Sequence, residues 1–139
     1  MTKSHAPGAT GRRVADNVAD LRRRAGLSRA QLAAKLDAIG RPLSGTVIQK
    51  IENGVRPVDV DDLMCLAVAL DVTPLRLLFG DTETEINITP TWTAATTVAR
   101  LWAQGADYLG GDSEQARRIR ELVAELHDAV TGKGQDGKH

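Results

Sequence analysis

Residues 27–54 read LSRAQLAAKLDAIGRPLSGTVIQKIENG, and the signals in this stretch set two short helices at a sharp angle. Ser28 follows Gly26-Leu27 and can accept a hydrogen bond from an orphan amide of the first turn, with Gln31 three residues on to complete a capping box. Leu32 and Leu36 recur at i, i+4 and share one buried face, and Ala33 supplies the small side chain that crossing helices need. Helix two can run on to Ile39 before Gly40 stops it. Pro42-Leu43 then breaks the chain and Ser44 can cap a second helix, whose Val47, Ile48 and Ile51 form a narrow inward stripe. Gly45, Thr46, Gln49 and Lys50 are left pointing outward, and Asn53-Gly54 ends the helix. A helix of about two turns, dry on one side and lined by small and amide side chains on the other, suits the DNA major groove.

The flanking residues supply three more helices. Val14, Val18 and Leu21 keep helical spacing from Val14 to Ala25, and Gly26 closes that segment. After the loop Val55-Arg56-Pro57-Val58, Asp59, Asp61 and Asp62 sit at a helix start, where the dipole favours them, and Leu63, Leu66, Ala67 and Leu70 follow. Thr73-Pro74 is a cap followed by proline, leading to Leu75, Leu78 and Phe79, with Gly80 as the stop.

These elements in this order resemble the Xre-type, lambda-repressor-like DNA-binding domain. The resemblance covers Val14 to Asp81 and rests on Leu21-Arg22 ahead of Gly26-Leu27-Ser28, then Gln31-Leu32-Ala33, Ile51-Glu52-Asn53-Gly54, and Leu66 to Val72. It implies an all-α fold, with a five-helix bundle followed here by further helices, and a sequence-specific regulator of transcription. Relatives tie helix one to the end of the recognition helix through an Arg-Glu pair, which falls on Arg22 and Glu52. Two departures stand out. Asp37 to Leu43 is longer than the family's usual turn, and Arg29 replaces a glutamine that touches the DNA backbone, so an ionic contact is expected there.

The expected roles follow from side-chain chemistry. Thr46, Gln49 and Lys50 are the base-edge candidates: glutamine suits adenine, lysine suits guanine, and the threonine methyl meets thymine. Gly45 joins them by letting the helix end come close to the duplex. Arg29, Arg41, Ser44, Asn53 and Arg56 are phosphate candidates, which fix register without reading sequence. Arg12 and Arg13, after a Gly-containing tail, form a candidate arm along the duplex. The bland alternatives are a solvated helix face for the first group and ordinary loop or tail charges for Arg56, Arg12 and Arg13.

Length and charge agree with one domain plus an appendage. The 139 residues are 42% hydrophobic, enough for a small core, and carry no net formal charge. The zero hides an asymmetry: residues 1–58 hold eleven Lys and Arg against four Asp and Glu, and residues 59–139 hold seven against fourteen. A phosphate-binding half and a remainder that avoids DNA would produce that split. No apolar run approaches a membrane span and Met1 to Arg13 has no signal-peptide core, so a cytoplasmic protein is expected. Cys65 is the lone cysteine and reads as packing among Leu63, Met64 and Leu66, while His5, His127 and His139 are scattered. No metal site, cofactor or enzymatic activity is expected, because no acid-base pair, nucleophile elbow or phosphate-cradling loop appears.

The domain plan has a flexible tail at 1–11, the DNA-binding domain at 12–81, a polar linker at 82–90, a two-helix segment at 91–131 and a tail at 132–139. In the two-helix segment, Thr93 to Leu109 spaces Val98, Leu101, Trp102, Gly105 and Leu109 helically, with Tyr108 nearby, and Gly110-Gly111 breaks it. Asp112 with Gln115 can cap a last helix striped by Ile119, Leu122, Val123, Leu126 and Val130, so the pair forms a helical hairpin. Its apolar faces can close on the body, bind a partner protein, line a small-molecule effector pocket with Trp92, Trp102 and Tyr108, or form a homodimer face through Leu101, Trp102, Ile119, Leu122 and Leu126. The dimer is favoured because one short recognition helix reads few bases and such regulators bind double-stranded DNA at paired half-sites. The expected function is a dimeric repressor. Two alternatives stay open: an antitoxin-like protein that sequesters a partner through its C-terminal helices, and a protein-interaction module with a disused helix-turn-helix.

Overall fold

The computed structural model describes residues 6–105 and 114–132. Five helices come first: α1 at Ala9–Arg24, α2 at Arg29–Ala38, α3 at Gly45–Glu52, α4 at Val60–Leu70 and α5 at Pro74–Phe79. Their starts are fixed by side-chain caps. Ser28 and Gln31 bond reciprocally across the first turn of α2, and Asp59 and Asp62 do the same for α4. Ser44 accepts from the Val47 amide at 3.2 Å and Thr73 from the Arg76 amide at 3.3 Å, with Pro74 in the first turn of α5. Gly40, at φ +90°, stops α2 in a conformation that side-chain-bearing residues rarely adopt.

The five helices enclose one core of Val14, Val18, Leu21, Leu32, Leu36, Ile48, Leu66 and Leu77, with Cys65 half-buried against it. Helix α1 is bolted to α5 by polar side chains: Asn17 donates to the Leu77 carbonyl at 2.8 Å and Arg13 to the Leu78 carbonyl at 2.7 Å. These bonds satisfy the open carbonyl end of α5, which would otherwise be left unpaired.

Helix α1 begins at Ala9, five residues ahead of Val14, so residues 9–11 of the expected flexible tail are helical. Arg12 and Arg13 are helical and engaged, not on a loose arm. Arg12 pairs with Asp16 and donates to the Asn53 carbonyl at 3.0 Å, and Arg13 reaches the carbonyls of Leu78 and Asn87.

The all-α expectation also needs correction, because the expected linker over 82–90 contains a strand. β1 at Glu85–Thr89 pairs antiparallel with β2 at Trp92–Ala95, in the register Glu85↔Ala95, Ile86↔Ala94 and Asn87↔Thr93, with an irregularity before Thr89↔Trp92. The cause is an alternation with period two. Ile86 is buried in a second apolar cluster with Phe79 and Ala99, while Glu85 and Asn87 face water. Helix α6 is therefore shorter than the expected Thr93 to Leu109 and spans Thr96–Ala103. Its first residue is buried, and the Thr96 hydroxyl lies 3.0 Å from the carbonyls of both Thr82 and Thr84.

The last helix, α7, spans Glu114–Thr131. Its half-buried Val123 and His127 turn toward the hairpin and α6, and His127 Nδ1 lies 3.6 Å from Glu83 Oε1. The Glu83 carboxylate in turn accepts from the amide and hydroxyl of Thr97. The Gly110-Gly111 turn, Tyr108, Leu109 and Asp112 lie outside the described residues, as does the side chain of Gln115. Among the described residues no helix is long and apolar enough to cross a membrane, and no group of His, Cys, Asp and Glu converges to hold a metal ion.

Candidate nucleic-acid interface

The chemistry of α3 differs on its two sides. Ile48 and Ile51 are wholly buried and Glu52 nearly so, whereas Thr46, Gln49, Lys50 and Asn53 are exposed. Their spacing of i, i+3, i+4 and i+7 puts these four on one outward stripe. The side chains of Thr46, Gln49 and Lys50 have no internal polar partner among the described residues. Gly45 rests on the first turn of α2, and a methyl group there would make ordinary contacts of 3.7 Å with Ala30 and Arg29. The glycine is therefore not demanded by packing within the chain.

Two buried carboxylates hold α3 in place, each between two arginines. Arg22 donates to Glu52 from Nε at 2.5 Å and from Nη2 at 3.2 Å, and its remaining arm bonds the Leu27 carbonyl at 2.9 Å. Arg29 completes the set from Nε at 2.9 Å, sharing Glu52 Oε2 with Arg22 Nη2. This cluster joins α1, the start of α2 and the end of α3.

The second anchor is Asp62, with no exposed surface. It accepts from Arg41 Nη2 and from Arg56 Nη1, each at 2.8 Å, and from the Asp59 amide at 3.2 Å. Arg41 lies on the connection before α3 and Arg56 on the loop after it, so Asp62 secures both flanks of the helix to the start of α4. Arg41 also reaches Asp59 at 3.1 Å.

Burial alone would push both carboxyls up. Hydrogen bonds from Arg22 and Arg29 override it at Glu52, and those from Arg41 and Arg56 override it at Asp62, so each group is held below its ordinary range. A depressed folded-state pKa means stabilisation that is complete above the unfolded-state value and disappears as pH falls through the folded one. Stability is accordingly expected to hold down to about pH 4, near the unperturbed carboxylate values, and to decline below it. The urea midpoint as a function of pH measures this. A midpoint flat from neutrality to well under pH 4 would rule out both anchors as stabilising.

The remaining expected residues are distributed as follows. Arg29, Arg41 and Arg56 keep 38, 31 and 32% of their side-chain surface exposed while pairing internally. Ser44 caps α3. The Asn53 carbonyl takes the Arg12 guanidinium, and Gly54 follows at φ +71° with Arg12 beside it. Leu101 is half-buried on α6 and Trp102 exposed; Leu122 and Leu126 are exposed on α7, and the side chain of Ile119 is outside the description.

Sequence reasoning did not assign Asp62 this anchoring position. The spacing Asp59-x-x-Asp62 is a capping-box signature and could have marked the acid as more than a dipole charge. The Arg12 contact had no comparable signal.

Residues 10–78, running from the start of α1 to the end of α5, match the family model of a helix-turn-helix domain. No curated protein and no solved structure matches the chain.

Proposed function

We propose, from the premise that residues 10–78 belong to the helix-turn-helix domain family, that this chain is a sequence-specific DNA-binding repressor acting as a dimer on paired half-sites. The observation that carries the reading is the outward stripe of Thr46, Gln49 and Lys50. It is free of internal partners, on a helix whose inner side is pinned at both flanks. Affinity then comes mainly from phosphate neutralisation and specificity from that stripe. Arg29, Arg41 and Arg56 retain exposed donors that can turn to phosphate while their carboxylate bonds persist. Ser44, at the positive end of α3, is a further phosphate contact.

Fluorescence anisotropy on duplex DNA from upstream of the chain's own gene, titrated with salt and competed with random DNA, tests the proposal. Gln49→Ala and Lys50→Ala are each expected to lower the preference for operator over random DNA about tenfold or more. Arg29→Ala should weaken both alike and reduce the salt slope by about one. Tight binding that survives competitor supports the reading, and it fails if random DNA displaces the operator at equal concentration for wild type.

A further inference from the structure

Helix α7 does not close on the body along its whole length. An open-mouthed cavity of about 290 Å³ lies between β2, α6 and α7, and a smaller one of about 110 Å³ lies further along the same helix, with Val123 and His127 lining both. Packed interiors leave few voids larger than a water molecule, because an unfilled apolar wall forfeits its dispersion contacts. The larger space has room for about ten waters. Its inner wall, built from Val98 on α6 and Val123 and Ala124 on α7, offers such waters no hydrogen-bonding side chain. Its mouth is different in character. Trp92 stands there 41% exposed, and the carboxylates of Glu85 and Asp128 line the same cavity without a polar partner among the described residues. Arg120 also lines it and is engaged within the chain, so two carboxylates are set against one guanidinium that is already occupied. Apolar walls with a few convergent polar groups at the mouth are the anatomy of a small-molecule site, and the volume is at the lower end for one. Charge selects the ligand: an indole face and two carboxylates attract a cation, whereas an anion meets repulsion from both.

We propose that this cavity binds a small planar organic cation, whose apolar rings enter between Val98 and Val123 and whose charge rests among Trp92, Glu85 and Asp128. The size admits a molecule of about two fused rings. Trp102 does not line the cavity, and neither does any residue of α3, so the site is separate from the outward stripe and does not depend on the DNA-binding reading.

Three probes of nearly one shape test the charge selection on the full chain without DNA: N-methylquinolinium as the cation, quinoline as its neutral counterpart at pH 7, and quinoline carboxylate as the anion. The chain has two tryptophans, so nuclear magnetic resonance of the indole N–H groups reports the site through Trp92 and carries its own control in Trp102. N-methylquinolinium should shift the Trp92 signal saturably, leave that of Trp102 in place, and bind about tenfold or more tightly than quinoline, with the carboxylate weakest. Glu85→Gln combined with Asp128→Asn should bring the cation down to the affinity of quinoline and leave quinoline itself unchanged. Ala124→Trp should fill the cavity and abolish the shift for every probe. Its helical circular dichroism should match wild type, because Ala124 is exposed and belongs to neither core cluster. No saturable shift with any probe would mean a gap that only water fills, and would overturn the site. Equal binding of cation and quinoline, a preference for the carboxylate, or an Ala124→Trp variant that binds as wild type does would each overturn it too.

Discussion

Glu52→Ala is expected to lower the unfolding free energy by about 3 to 5 kcal/mol, the range for removing one partner of a buried ion pair. The Glu52 side chain is 2% exposed and that of Arg22 is 9% exposed, so the guanidinium left behind cannot recover water. Its remaining bond to the Leu27 carbonyl does not offset a buried positive charge. Arg22→Ala should be somewhat milder, since Arg29 stays on the carboxylate. Arg29→Ala should cost about 1 kcal/mol or less, because that side chain is 38% exposed and the contact is screened. Urea midpoints of the three variants give the ordering. A Glu52→Ala loss no larger than that of Arg29→Ala would mean that the cluster is not a buried charge centre.

Asp62→Ala is expected to be comparably severe, about 3 to 5 kcal/mol by the same argument, with a different local signature. The carboxylate has no exposed surface and serves Arg41, Arg56 and the Asp59 amide together. Losing it unties the connection before α3 and the loop after it, so amide exchange should accelerate across residues 39–44 and 55–58 before it does in α1. Asp62→Asn keeps an acceptor for the Asp59 amide and discards the charge, and should fall between alanine and wild type. Should asparagine match wild type in both midpoint and exchange, the charge at this position would be irrelevant and only the cap would count.

Elements with local causes were readable in the sequence. Ser28 with Gln31, Ser44, and Thr73 with Pro74 each announce a helix start within four residues of chain, and all three helices begin there. The hairpin had a local cause too. Ile86 and Ile88 alternate with polar residues, but the polar composition of residues 82–90 makes the strand read as a linker. The partners of Arg29 and Arg41 lie 23 and 21 residues away, and no sequence period encodes such distances. A guanidinium reserved for phosphate and one that neutralises a buried acid look alike in a sequence. Arg41 and Arg56 show the difference only when Asp62 is seen between them.

The bolts between α1 and α5 also set a timetable for biosynthesis. Asn17 and its acceptor at Leu77 are 60 residues apart, and Arg13 and its acceptor at Leu78 are 65 apart. Helix α1 leaves the ribosome first, yet the element that covers its apolar side is the last of the bundle to be made. At about 5 to 20 residues per second, roughly 3 to 12 seconds of translation separate the two. During that interval α2, α3 and α4 can associate through short-range contacts, while the core that holds Val14, Val18 and Leu21 still lacks Leu77 of α5. The nascent chain is thus most open to chaperones and to self-association between completion of α1 and emergence of Leu77, and closure of the bundle waits for α5.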